Sequence, residues 1–116
     1  MEVSAPRSDL EERTLRFAKD IRSFVKQLPR NLASAADGDQ LIRSSGSIGA
    51  NYIEAQEAMS RKDFAMRVKI SRKEAKESKY WLHLLEVPAA LEHEHKKLIK
   101  ECSELLKIFS AIVQKT

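Results

Sequence analysis

The sequence predicts an all-α protein, an antiparallel up-down-up-down four-helix bundle, and three observations carry that prediction. Apolar residues recur at spacings of three and four over four long stretches, and no alternating, strand-like segment interrupts them. With three Gly and three Pro in 116 residues, 42% apolar and 33% charged, the composition is that of a helical chain with few turns. The connections are short, and helices of about twenty residues joined that way pack as antiparallel neighbours. One domain is expected at 8–116, large enough to bury a core without a metal or disulfide staple. The single cysteine, Cys102, has no internal partner.

Residues 1–7 have no periodicity, contain Pro6, and are expected to be a disordered lead-in. Ser8-Asp9-Leu10-Glu11 then fits a capping box, with the Ser8 oxygen accepting from a first-turn amide and Glu11 reaching back. Thr14, Phe17, Ala18, Ile21, Phe24, Val25 and Leu28 make one amphipathic face of the first helix. Pro29 ends it, because the residue before a proline is steered away from helical dihedrals.

Residues 30–40 are expected to be a link, with a turn of helix at 31–36 before the punctuation of Asp37-Gly38-Asp39. The second helix follows from an Asp39 N-cap to about Met59. Its core row is Leu41, Ser45, Ile48, Tyr52, Ala55 and Met59. A second row, Ile42, Gly46, Gly49, Ile53 and Gln56, sets small residues between two isoleucines, where a neighbouring backbone can come close. Each mid-helix glycine costs roughly 1 kcal/mol against alanine, so packing has to favour it. Arg43, Ser47, Asn51 and Glu54 form a third, polar row, which is either a solvated face or a polar network across a subunit boundary, with Arg43 partnering a carboxylate such as Glu54 or Glu74.

Ser60-Arg61-Lys62-Asp63 is the start signal of a third helix reaching about Glu86, and turning it by 100° per residue separates three stripes. Phe64, Val68, Ser71, Ala75, Ser78, Leu82 and Leu85 form a core row with a small-residue middle suited to close helix packing. Ile70, Glu74, Glu77, Trp81 and Leu84 mix carboxylates with the only tryptophan and resemble a partly polar interface. Lys62, Lys69, Arg72, Lys73, Lys76 and Lys79 fill the remaining arc. The fourth helix is expected to open on Pro88 and run to about Lys115, with Leu91, His95, Leu98, Cys102, Leu105, Phe109 and Ile112 as its heptad row and Ile99, Leu106 and Val113 beside it.

Charge directs attention to the third helix. The chain carries +4 with a pI of about 9.3. Between Ser60 and Lys79 eight Lys/Arg stand against three acids, a local +5 that exceeds the total. Such an arc is either a solvated face or a phosphate-contacting surface, and without interleaved aromatics it gives no base readout.

Catalytic chemistry finds little to work with. Ser45-Gly46-Ser47-Ile48-Gly49 lacks the Gly-Lys-Ser/Thr and the preceding strand of a phosphate loop, and a Gly-x-x-Gly clamp needs a sheet. His93 and His95 fall on different helix faces, and His95 meets Cys102 only at a seven-residue separation, short of the three or four converging ligands of a zinc site. Glu74 and Glu77 lack the Glu-x-x-His repeat of bundle metal sites. No catalytic residue, metal or cofactor is predicted. No leader and no apolar run of about 18 residues occurs, so no membrane partner and a cytoplasmic location are expected.

Residues 40–55, Gln40-Leu41-Ile42-Arg43-Ser44-Ser45-Gly46-Ser47-Ile48-Gly49-Ala50-Asn51-Tyr52-Ile53-Glu54-Ala55, together with Asp63-Phe64 and Lys73-Glu74-Ala75-Lys76-Glu77-Ser78-Lys79-Tyr80-Trp81-Leu82, resemble the four-helix-bundle family encoded by 23S rRNA intervening sequences. The resemblance covers roughly Phe17 to Leu85. It departs from the family at Ala55, where a Gly usually follows the helix-two Glu. It implies an antiparallel protomer assembling into a homopentameric ring. It also implies a relation to the accessory variability determinant of diversity-generating retroelements, which works with a reverse transcriptase and binds nucleic acid through a basic surface.

The expectation is a non-enzymatic homo-oligomer that binds RNA, DNA or a ribonucleoprotein through Lys62, Lys69, Arg72, Lys73, Lys76 and Lys79. Its expected subunit boundary comprises Ile42, Arg43, Gly46, Gly49, Ile53, Glu54, Ile70, Glu74, Glu77, Trp81 and Leu84. The alternative is a structural or adaptor protein whose partner is another protein, with the basic arc only solvated.

Overall fold

Hydroxyls set the register of the central helix pair. Ser71 Oγ donates to the Ile48 carbonyl at 2.9 Å, and the Ser44 and Ser78 hydroxyls share a hydrogen bond of 2.8 Å. Small residues at the crossing let the two backbones approach, and each buried hydroxyl finds a partner, as burial requires. Those pairings run in opposite directions along the chain, so the two helices are antiparallel. The computed structural model describes residues 5–116, with side chains from Asp9 onward.

The elements are α1 (Ala5–Lys26), α2 (Leu32–Gln56), α3 (Arg61–Leu84), a 3-10 turn at Ala89–Leu91 and α4 (Glu92–Gln114). Each helix packs against two others in cyclic order, most extensively α2 on α3 and least extensively α1 on α4. Cys102 against Ala75 and His95 against Leu82 make α3 and α4 antiparallel; Thr14 beside Gly49 and Val25 beside Gly38 do the same for α1 and α2. The result is the up-down-up-down four-helix bundle that the periodicity predicts.

The core is drawn mainly from the rows read from the spacing, with Leu10 and Ser44 added to it and Val25, Phe64, Leu91, His95 and Ile112 only half-buried at its edge. Phe17, Ile21, Phe24, Leu41, Ile48, Leu82, Leu105 and Phe109 are fully buried. Tyr52 meets Phe109 edge-on across the bundle, with ring centroids 5.8 Å apart. In α3, Val68, Ser71, Ala75, Ser78 and Leu82 are buried, and in α4 so are Leu98, Cys102, Leu105 and Phe109.

Helix boundaries need correction. The expected link at 30–40 is the first part of α2. Asn31, not Asp39, caps it, its side chain accepting from the Ser34 amide at 2.8 Å. Asp37-Gly38-Asp39 is helical because Gly38 lies under α1, where a Cβ would come 2.9 Å from Val25 Cγ1. The glycine there makes room for a neighbour and does not break the chain. At the other end α2 stops at Gln56, leaving Met59 94% exposed and outside the core row. Helix α1 already runs at Ala5, so Ser8 lies within it and not at a cap; of the lead-in, residues 1–4 fall outside the described residues. Ser60 caps α3 as expected, accepting from the Asp63 amide at 3.1 Å. Pro88 precedes the 3-10 turn, so α4 begins at Glu92 and not at the proline.

Candidate nucleic-acid interface

Three anchors fix the rotation of α3 and decide which of its residues face outward. On the α2 side the Ser71 and Ser78 hydroxyls are engaged as described above. On the α4 side the Cys102 thiol donates to the Ala75 carbonyl at 3.2 Å, and burial pushes that thiol up to about 12. At the C-terminal end His95 Nε2 meets the Leu82 carbonyl at 2.6 Å while its ring stacks on Phe24, with centroids 5.9 Å apart. A carbonyl in the last turn of a helix has no intrahelical donor, so the imidazole caps α3. That contact accounts for His95 as a packed, hydrogen-bonded residue. Among the described residues, no group of three or more His, Cys, Asp or Glu could hold a metal ion.

With α3 held this way, Lys62, Lys69, Lys73 and Lys76 are exposed along its outer face. Spacings of seven between 62 and 69, four between 69 and 73, and seven between 69 and 76 put them on one stripe. The six-residue basic arc nonetheless divides. Arg72 and Lys79 are half-buried on the α4 side, and Lys79 lies near enough to Cys102 to oppose the rise of its thiol. Lys73 Nζ sits 3.8 Å from Glu74 Oε2, a long pair in which the lysine stays mostly in water while the carboxylate is largely buried.

An aromatic stands at the C-terminal end of this stripe. Tyr80 is 59% exposed, four residues after Lys76 and seven after Lys73, and its ring meets Trp81 edge-on with centroids 5.0 Å apart. The stripe therefore is not purely cationic. The sequence contains the signal, an aromatic in phase with the lysines, but it is masked by the neighbouring tryptophan.

The expected subunit-boundary residues divide among several surroundings. Ile42 and Trp81 are half-buried and pack against the core of their own protomer. Ile70 and Glu74 are half-buried, Glu54 and Glu77 are exposed, and Ile53 and Leu84 are 45% and 47% exposed. Gly49 is accounted for within the chain, since a Cβ there would stand 2.7 Å from Thr14 Oγ1 on α1. Gly46 has nothing within 4 Å of a Cβ position and opens outward. Within the protomer Arg43 meets neither Glu54 nor Glu74. It reaches one turn back along its own helix to Asp39 at 3.2 Å, because the outward direction of its row carries it away from α3. Asn51 is nearer the seam, donating to the Ser47 carbonyl at 2.9 Å and accepting from Arg67 at 3.5 Å.

Burial raises the carboxyl of Glu74 above its ordinary value, the nearby Glu77 adds to the rise, and Lys73 opposes it. An ion-pair cluster that spacing did not reveal joins the least extensively packed pair of helices. Arg13 Nε donates to Glu101 Oε2 at 2.7 Å, and its Nη2 donates to Glu101 Oε1 at 2.8 Å and to Glu104 Oε1 at 2.7 Å. These hydrogen bonds hold the guanidinium further above its already high ordinary value, against the opposing effect of partial burial.

A family model described as 23S rRNA-intervening sequence protein matches residues 8–111, which take in all but the ends of the bundle. The chain belongs to that family. A similar solved structure comes from Bacteroides thetaiotaomicron and is described as a protein of unknown function from the S23 ribosomal protein family. It is 30% identical, with a TM-score of 0.81 over 93% of this chain and 97% of that one. No curated protein gives a significant match. The family match covers α3 entirely, so the helix that carries the lysine stripe lies within the matched region. Among the described residues no helix is long and apolar enough to cross a membrane.

Proposed function

We propose that this member of the 23S rRNA-intervening sequence protein family is a non-enzymatic, homo-oligomeric bundle that binds nucleic acid, or a ribonucleoprotein, through the outer face of α3. The observation that carries the reading is the stripe of Lys62, Lys69, Lys73 and Lys76, exposed along one side of a helix whose opposite side is locked into the core. Ammonium groups on a straight rod suit phosphate oxygens and release condensed counterions, so affinity is expected to be strongly salt-dependent and weakly sequence-dependent. Arg72 and Lys79 flank the stripe and add to its field.

Self-association is supported by apolar side chains left uncovered on α2 and α3. Ile53 on α2 and Leu84 on α3 are 45% and 47% exposed, and Gly46, two turns before Ile53 on α2, has open space at its Cβ position where a second backbone can approach. The family resemblance makes five the expected subunit number. Fluorescence anisotropy of the whole protein with a mixed-sequence RNA and a duplex DNA, repeated over a salt series, tests the binding. Affinity that falls steeply with salt is the expected result, and no binding of either at low salt overturns it.

A protein adaptor is the competing reading, and the same uncovered apolar groups favour it. Capture of a protein partner that survives both nuclease treatment and charge reversal at Lys73 and Lys76 would select the adaptor instead.

A further inference from the structure

We infer that Tyr80 is a base-stacking platform at one end of the lysine stripe, so that this face takes an unpaired nucleic-acid strand in preference to a duplex. The inference rests on the nucleic-acid reading above and adds the kind of strand. Lysines alone do not distinguish the two, because both present phosphates. An exposed aromatic does, since a base can lie on it only when its own face is free, and in a duplex both faces are covered by neighbouring base pairs.

Three observations place Tyr80 in that role. The residue is 59% exposed although a large aromatic side chain gains by burial. It is braced, because it meets Trp81 at 5.0 Å with ring planes 78° apart, and Trp81 packs against the core. A ring held in that way loses little freedom when a base settles on it. Finally, Lys76 and Lys73 lie one and two turns before it on the same stripe, so cations for the flanking phosphates stand beside the stacking surface.

The stripe has a second end. Arg61, Lys62, Met66 and Lys69 line an open groove of about 550 Å³ where α3 begins. From position 61 to position 80 the helix rises about 28 Å. A path of that length holds several nucleotides, within the roughly 4–16 that one single-strand-binding module covers.

The test uses the whole protein and labelled strands of about twelve nucleotides, a typical site size. The probes are RNA, DNA, the matched duplexes, and a DNA strand lacking its bases. Wild type should bind either or both unpaired strands more tightly than the duplex of the same sugar, and the sugar preferred identifies the natural strand. Tyr80→Ala should weaken the unpaired strand by about 5- to 150-fold and the duplex by less than about twofold. Tyr80→Phe should retain binding. Removing the bases should weaken wild type as much as Tyr80→Ala does, a result that needs no variant to fold. If wild type binds no probe at low salt, the parent reading fails. If it binds, but the base-free strand binds as well as the intact one or Tyr80→Ala weakens strand and duplex equally, stacking by Tyr80 fails while the cationic reading stands.

Discussion

Among the described residues, Glu74 is the carboxylate whose surroundings disfavour its charge. Its side chain is 17% exposed, and the nearest cation, Lys73, stays at 3.8 Å with most of its own side chain in water. Burial is the largest cause of its raised carboxyl value, followed by Glu77, with Lys73 acting against both. Because the folded state holds this proton more tightly than the unfolded chain, stability falls as pH rises from the ordinary value of 4.5 through the folded one, and stays lowered above it. Glu74→Gln should therefore raise the melting temperature at pH 7 and change it little at about pH 3, below the carboxylate range. Thermal melts at both values check this, and a lower melting temperature at pH 7 would show that the Lys73 pair outweighs the burial. The proximity of Glu74 to Glu77 was legible as a three-residue spacing. Its burial was not, because that depends on how closely α2 approaches. Tyr80 shows the opposite case: its phase with Lys73 and Lys76 was in the sequence, and its exposure, which gives that phase meaning, was not. The thiol of Cys102, with a value near 12, should resist thiol reagents at about pH 8 until the protein unfolds.

Among the elements, α2 shows how the same residue type serves different ends within one helix. Gly38 and Gly49 each lie where α1 crosses closely, whereas Gly46 faces outward. Thr14, the neighbour of Gly49, is held by its own hydrogen bond to the Glu11 carbonyl at 2.9 Å and has little freedom to move aside. Gly49→Ala should thus destabilise the protein by about 1–3 kcal/mol, the usual range for overpacking. Gly46→Ala meets nothing in the protomer and should stabilise the helix by about 0.5–1 kcal/mol. Urea unfolding of both variants separates the two cases. A Gly46→Ala protein that is more stable at low concentration but associates more weakly would place Gly46 at a subunit boundary. The near-approach face of α2 was visible in the spacing of its small residues, but which neighbour each glycine admits was not, since that follows from the crossing point with α1. Nor was the Arg13 cluster visible, because its partners lie 88 and 91 residues away and only the closed bundle brings them together.

At the scale of the molecule, four apolar rows of helical period were enough to imply the bundle, and most of the buried residues lie in those rows, Met59 being the member that falls outside. The starts of α2 and α4 were misplaced because local signals, Asp-Gly-Asp and Pro88, compete with packing that a sequence does not display. The uncovered Ile53 and Leu84 lead to the expectation of a homo-oligomer, which light scattering on the purified protein checks; a monomer at high concentration would remove the interface reading while leaving the lysine stripe intact. The central claim concerns that stripe. It is tested most directly by the salt dependence of strand binding in wild type and in a variant with Lys69, Lys73 and Lys76 all replaced by alanine. Wild type should show log affinity falling linearly with log salt, and the variant's slope should be shallower by about 2, roughly 0.7 for each single-strand phosphate that the missing lysines no longer neutralise. An unchanged slope in the variant would contradict the account.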